Sequence, residues 1–253
     1  MADYSRITLY HGSDHSIPKP ELRFGHADND YGQGFYMTAD KRSAGEWACV
    51  HGDRGKGTYI NVYTIDTAGL TVINLNDYGT LAWIAEIAAN RGTRDERAEF
   101  AAEAIVEKYR IDTTKADLII GYRADDSYLA VVEAFLTGEI NIDETDRLFR
   151  EGKLGNQYFL KSERSFEELR FEGTERIDAR DYENRAQEFA RHKVSDFLDV
   201  RRRQISLERF SPSPFTVDDA LHENLVYDSQ YKFYMEEAPD RDEHEWEEDD
   251  YER

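Results

Sequence analysis

Apolar residues recur along most of this chain at spacings that separate strands from helices. Ile7 and Leu9 alternate with polar or aromatic neighbours between Arg6 and His11, which predicts a first strand ending at the histidine, with Gly12 turning the chain. Pro18 and Pro20 hold the next segment extended or turning, and a loop runs on to Gly34. Ala44, Trp47 and Ala48 share one side of a helix from Lys41 to about Val50, capped by Asp40. Tyr59 to Ile65 reads as a strand and Val72 to Leu75 as a second.

Leu81, Ile84, Ala85 and Ala88 define one helical face, and Ala101, Ala104, Ile105 and Tyr109 another, with Gly92 between them. Leu118 to Tyr122 is short and apolar, as a buried strand is, with Gly121 near its end. Helices are predicted from Ser127 to Thr137 and from Asp143 to Glu151, then strands at Gln157–Lys161 and Leu169–Phe171 around a loop. Tyr182, Ala186, Phe189, Ala190, Val194, Phe197 and Leu198 fit one face of a long helix over 182–203. Residues 211–234, with a Ser-Pro-Ser-Pro turn and many aromatics, predict an ordered strap. Eleven acids against two arginines leave −9 on residues 236–253, a composition that predicts disorder unless a partner neutralises it. The expected organisation is therefore a main domain over 1–175, a helical extension and strap over 176–235, and an acidic tail over 236–253.

The whole chain of 253 residues has a net charge of −21, which argues against a broad nucleic-acid surface because phosphate neutralisation needs clustered Lys and Arg. Arg201-Arg202-Arg203 reads instead as an ion-pair face for the acidic tail. No apolar run predicts a membrane span and no signal-peptide pattern opens the chain. The single cysteine, Cys49, rules out an internal disulfide framework and suits a reducing cytoplasm. His11, His15, His26, His51 and Cys49 lack the ligand spacing of a zinc site, so no metal is expected.

Candidate chemistry lies in two short segments, Leu9-Tyr10-His11-Gly12-Ser13 and, some twenty residues on, Tyr31-Gly32-Gln33-Gly34-Phe35-Tyr36-Met37-Thr38. Taken singly they have plain readings: a packed histidine, glycines at 32 and 34 that supply positive φ, and Trp47 buried on its helix's apolar face. Four phrases in order, LYHGSDHSIPKPEL, DNDYGQGFYMTADKRSAGEWA, DLIIGYRADDSYLAVVEAFLTGEI and KLGNQYFLKSERSFEELRF, resemble a bacterial family, domain-of-unknown-function 3990, over residues 6–171. The N-terminal pair resembles the His-Tyr-Glu branch of ADP-ribosyltransferases, which includes poly(ADP-ribose) polymerases and diphtheria-type toxins.

That resemblance implies an α+β, ADP-ribosyltransferase-like fold, with two small mixed or antiparallel sheets around an NAD cleft and helices at the periphery. It implies mono-ADP-ribosyl transfer from NAD, with no metal, to a protein or nucleic-acid acceptor, by the toxin of a toxin–antitoxin pair whose antitoxin would be a protein partner. His11 would bond a ribose hydroxyl of the adenosine half. The backbone of Gly12 would hold the nicotinamide carboxamide, and Tyr36 would line the nicotinamide pocket. Ser13, Gly34 and Phe35 would complete the contact stretch, with Ser43 at the carboxamide and Trp47 as a second stacking ring.

Gln157 stands where the pattern begins its late strand with glutamate. Its amide can hold a ribose hydroxyl, but a neutral hydrogen bond of roughly 0.5–1.5 kcal/mol replaces a charge-assisted one of roughly 1.5–3 kcal/mol. Poly(ADP-ribose) elongation is therefore not expected. Asp125 and Asp126, on the loop after a buried strand with Arg123 nearby, are candidates for the missing base, as is Glu163; the plain reading of the aspartates is a cap for the following helix. The competing expectations are a reduced module that senses NAD or binds protein, and an NAD glycohydrolase.

Overall fold

A computed structural model describes residues 6–23, 25, 29–51, 57–124, 126–152, 155–182, 194–200, 202, 216, 217 and 221. In chain order the elements are β1 (Arg6–Ser13), β2 (Phe35–Met37), α1 (Lys41–His51), β3 (Tyr59–Asp66), β4 (Val72–Asn74), α2 (Thr80–Arg91), α3 (Glu96–Tyr109), β5 (Leu118–Tyr122), α4 (Asp126–Leu136), α5 (Ile142–Gly152), β6 (Asn156–Leu160), α6 (Glu163–Glu167) and β7 (Leu169–Arg176). Residues 194–200 are also helical. This is a mixed α+β architecture with two small sheets. One sheet is antiparallel with order β1-β3-β7; the other has order β2-β6-β5-β4 and is antiparallel except for the parallel β4–β5 pair.

Strand alternation explains how the layers assemble, because successive side chains point to opposite faces. Phe35, Met37, Leu118 and Leu160 pack with Leu9, Tyr63 and Ile65 of the three-stranded sheet. Their neighbours Tyr36, Ile119 and Phe159 join the larger core with Trp83, Ile84, Ile105 and Phe135 of α2, α3 and α4. The four-stranded sheet is thus buried on both faces, which is why Leu118-Ile119-Ile120 shows no polar alternation. Its Gly121 has a packing reason: a Cβ there would stand 2.4 Å from Tyr31 Oη, the hydroxyl that accepts from Trp83 Nε1 at 3.0 Å and donates to Tyr122 O at 2.6 Å.

Several expectations are corrected. Gly12 does not turn the chain; β1 runs on to Ser13, with Gly12 opposite Ile60, and the missing Cβ lets α1 lie directly on the strand. β2 forms although three residues carry no readable period, because β6 supplies its partner. The expected loop between the last strands contains α6, opened by a reciprocal cap between Ser162 and Ser165. β7 reaches Arg176, so a domain end at 175 falls inside a strand. Val194, Leu198 and Val217 are buried in the larger core, so these parts of 176–235 belong to the same folded unit. Arg202 pairs with Glu139 at 2.9 Å, whereas Arg201, Arg203 and the acidic tail lie outside the described residues. Much of the predicted 182–203 helix and 211–234 strap does too. No described helix is long and apolar enough to cross a membrane.

Candidate functional site

The two sheets meet where Tyr10 and Thr38 form an isolated bridge, Tyr10 N donating to Thr38 O at 2.8 Å and Thr38 N to Tyr10 O at 3.0 Å. A cavity of about 890 Å³ opens beside this junction, at the β2 edge of the four-stranded sheet. That size lies within the roughly 300–1,000 Å³ of small-molecule sites. His11, Gly12, Gly34, Phe35, Tyr36, Ser43, Trp47 and Gln157 all line it. Ser13 does not appear among its walls: Ser13 Oγ donates to His15 O at 2.5 Å and accepts from Asn61 Nδ2 at 2.9 Å, tying down the loop that follows β1.

His11 has a defined tautomer. Its Nδ1 lies 2.7 Å from Tyr36 O, and a carbonyl can only accept, so Nδ1 carries the hydrogen and Nε2 keeps its lone pair. Burial pushes the imidazole pKa below its ordinary value and so favours the neutral ring, opposed by the hydrogen bond to the Tyr36 carbonyl. The ring packs against Phe35 with centroids 4.5 Å apart. No described group bonds Nε2, which is left as an acceptor.

Tyr36 supplies a ring rather than an acid. Its hydroxyl donates to Gly32 O at 2.6 Å and accepts from Tyr31 N at 3.0 Å, and burial raises its pKa far above the ordinary tyrosine value. The ring packs on Phe159, centroids 4.7 Å apart, on the helix-facing side of β2. His11 reaches the cavity from the other side of that edge strand, where Phe35 points.

Gln157 sits on β6 opposite Gly121 and is 8% exposed. Its Nε2 donates to Asp30 Oδ2 at 2.6 Å and to Tyr122 O at 3.4 Å. Both partners accept only, which sets the amide flip; the Tyr31 hydroxyl, which donates to Tyr122 O, also lies against the amide, and no described group donates to Oε1. Asp30 is the residue that sequence reasoning missed. It is 7% exposed, lines the cavity, and accepts from Ala124 N at 2.9 Å and from Arg91 Nη1 at 2.9 Å as well as from Gln157. Burial raises its pKa, while the Ala124 amide, Arg91 and Gln157 pull it back. Its signal in the sequence was its place within the phrase DNDYGQGFYMTADKRSAGEWA, directly before Tyr31-Gly32.

Glycines at the site serve close packing. A Cβ on Gly34 would stand 2.3 Å from the Phe159 ring and 2.5 Å from Leu160 O, whereas Gly32 does adopt positive φ, at 92°. Asp40 caps α1 as expected, accepting from Arg42 N at 2.9 Å, and holds Ser43 Oγ at 2.8 Å. Trp47 is not core: it is 38% exposed, with the Arg123 guanidinium 4.6 Å from its ring. Lys19, Arg91 and Arg123 against Glu21 and Asp30 give the cavity more cations than anions on a strongly acidic chain. Asp125 lies outside the described residues; Asp126 opens α4, but its side chain also lies outside them. Among the described residues no group of three His, Cys, Asp or Glu is placed to hold a metal ion.

No curated protein and no solved structure matches the chain significantly. One family model, described as Protein of unknown function (DUF3990), matches residues 7–171, from the second residue of β1 to the third residue of β7. That span covers well over half of the sequence and contains His11, Asp30, Tyr36 and Gln157, and the chain belongs to this family.

Proposed function

We propose that the chain is an ADP-ribosyltransferase-like enzyme that takes NAD as substrate and passes one ADP-ribosyl group to a macromolecular acceptor. The observation that carries this reading is the pair of oriented acceptors, His11 Nε2, fixed by the hydrogen bond from Nδ1, and Gln157 Oε1, fixed by the hydrogen bond from Nε2. Acceptors without donors select a ligand that brings donors, and hydroxyls on two sugar units suit two such atoms reaching one cavity from opposite sides of an edge strand. Tyr36 and Trp47 offer aromatic surface, and Arg123 and Lys19 offer positive charge for linking phosphates. NAD combines all three features.

His11 would hold the adenosine-side ribose and Gln157 the nicotinamide-side ribose, fixing the sugar while its bond to the neutral leaving base breaks. The neutral imidazole is suited to accepting a hydroxyl proton's hydrogen bond and not to delivering charge. The setting of a toxin with an antitoxin partner follows from the resemblance to the bacterial family of unknown function 3990 and is part of this proposal.

Incubation with labelled NAD and a cell lysate tests it. Transfer yields a labelled macromolecule that is lost in His11→Ala and in Gln157→Ala; absence of label and of nicotinamide release refutes it. A second reading is favoured by the uncharged Gln157: a module that binds NAD without cleaving it. Calorimetric NAD binding with no nicotinamide release would establish that reading instead, and nicotinamide release without labelled product would establish a glycohydrolase.

A further inference from the structure

We infer that Asp30 is the positioning residue for Gln157, and that its carboxylate supplies, one amide away from the sugar, the negative charge that a glutamine lacks. This rests on the NAD-cleaving reading above. The contact joins residues 127 positions apart, and at 2.6 Å it is the shortest hydrogen bond Gln157 makes. An amide free to rotate would present Nε2 or Oε1 to the cavity with little preference. Asp30 removes that freedom, with the carbonyl of Tyr122 as a longer second acceptor, because a carboxylate held by donors from Arg91 and Ala124 accepts and does not donate.

Charge is the second part of the inference. As the glycosidic C–N bond breaks, its electron pair leaves with the nicotinamide nitrogen, which becomes neutral, and positive charge appears on the ribose. An acceptor nucleophile then forms the new bond to C1′ and releases its proton to water, so that NAD and acceptor become ADP-ribosyl acceptor, nicotinamide and a proton. Gln157 Oε1 alone offers only a dipole to the ribose. Hydrogen-bonded through Nε2 to Asp30, the amide is polarised toward Oε1, and the carboxylate, itself buried, sits directly behind it. Arg91 is paired with the other carboxylate oxygen, Oδ1, and so holds Asp30 in place on the side away from Gln157.

Exchange of charge between the two positions tests this. Asp30→Asn is expected to lower kcat for nicotinamide release by about tenfold or more, with a smaller change in KM, as loss of a charge-assisted contact acting in the transition state does. Gln157→Glu places two carboxylates in contact and is expected to fall further. The doubly substituted chain, Asp30→Asn with Gln157→Glu, restores one amide against one carboxylate with the same side-chain lengths, and is expected to recover at least tenfold over Gln157→Glu alone. Thermal unfolding of each variant accompanies the rates. Asp30→Asn as active as the natural chain, or an exchanged pair no better than Gln157→Glu, overturns the inference while NAD cleavage stands. An exchanged pair that fails to fold makes the contact structural only and overturns it equally. A natural chain that releases no nicotinamide removes the reading beneath it, a result the wild-type rate alone identifies.

Discussion

Substitution of Gly12 by alanine separates two explanations of that glycine by the sign of its effect. Its φ lies outside the left-handed range, so the backbone itself accepts alanine, and in a strand the change alone would stabilise by roughly 0.5–1 kcal/mol. Packing opposes this. A Cβ would stand 1.9 Å from Ala44 O, 2.8 Å from Ala48 N and 2.9 Å from Ala48 Cβ. Ordinary contacts are about 3.5 Å or longer, and two of the three atoms are backbone of α1, so no rotamer relieves the overlap and the helix must retreat by more than an ångström. Overpacking costs typically about 1–3 kcal/mol, and the backbone clash places this case at the upper end, for a net loss of about 2 kcal/mol. Gly45→Ala is the contrast, since its overlap at 2.2 Å is with the side chain of Tyr182, which can turn away. Urea denaturation reads both. Gly12→Ala is expected to lower the midpoint with the slope unchanged, and to weaken NAD binding because Ser43, Ala44 and Trp47 ride on the displaced helix. A midpoint equal to or above that of the natural chain would refute the packing account of Gly12.

Three further outcomes follow from the same geometry. Tyr36→Phe keeps the ring but leaves Gly32 O and Tyr31 N without their partner, an expected loss of about 1–3 kcal/mol in unfolding free energy, and Tyr36→Ala is expected to lose more. Because burial holds the His11 pKa below its usual 6.5, NAD binding should stay level as pH falls through that value and decline only below it; a decline centred at 6.5 or above contradicts the neutral acceptor. Burial raises Asp146 to about 6, despite donation by Thr80 and the charge of Arg150. The folded state therefore takes up this proton before the unfolded chain does, so the group's penalty, up to about 3 kcal/mol above pH 6, fades as pH drops toward 4. Asp146→Asn should be more stable than the natural chain at pH 8 and lose about two thirds of that advantage by pH 4.5; an advantage independent of pH argues against the shift.

Local pattern was enough for elements whose apolar face repeats several times, such as β3, α2 and α3, and for β5, whose unbroken apolar run reflects burial on two sides. It was not enough for β2, which is three residues long and owes its existence to Tyr36 and its neighbours pairing with β6. The far half of β7, Glu172 to Arg176, is polar and partly exposed and is held by its pairing to β3, so no alternation betrayed it. At the site, His11, Tyr36 and Gln157 stood out because each sits in a recognisable phrase. Asp30 lies in one of the same phrases but did not stand out, since its partners come from α2, β6 and the turn after β5, and only the folded chain brings them together. The plain reading of Trp47 as core fails for a related reason: an apolar helix face says that a side is covered, not that every residue on it is.

One short segment orients both acceptors. The carbonyl of Tyr36 sets the His11 ring, and the carboxylate of Asp30 sets the Gln157 amide, so residues 30–36 determine how the cavity presents itself on either side of β2. That segment is itself pinned at three places: Asp30 by Arg91, the Tyr31 hydroxyl between Trp83 and Tyr122, and Gly32 by the hydroxyl of Tyr36. A ligand meeting these acceptors need not spend interaction energy ordering them, which is what a site requires if binding is to favour a transient charge over a resting substrate. The same economy makes the segment vulnerable, because a change at any one pin reaches both acceptors. Variants that remove a pin outright, such as Asp30→Ala or Tyr31→Ala, should therefore lose ligand recognition at His11 and at Gln157 together, whereas the isosteric Asp30→Asn acts mainly on the rate and a change confined to Trp47 or Arg123 should leave the two acceptors in register.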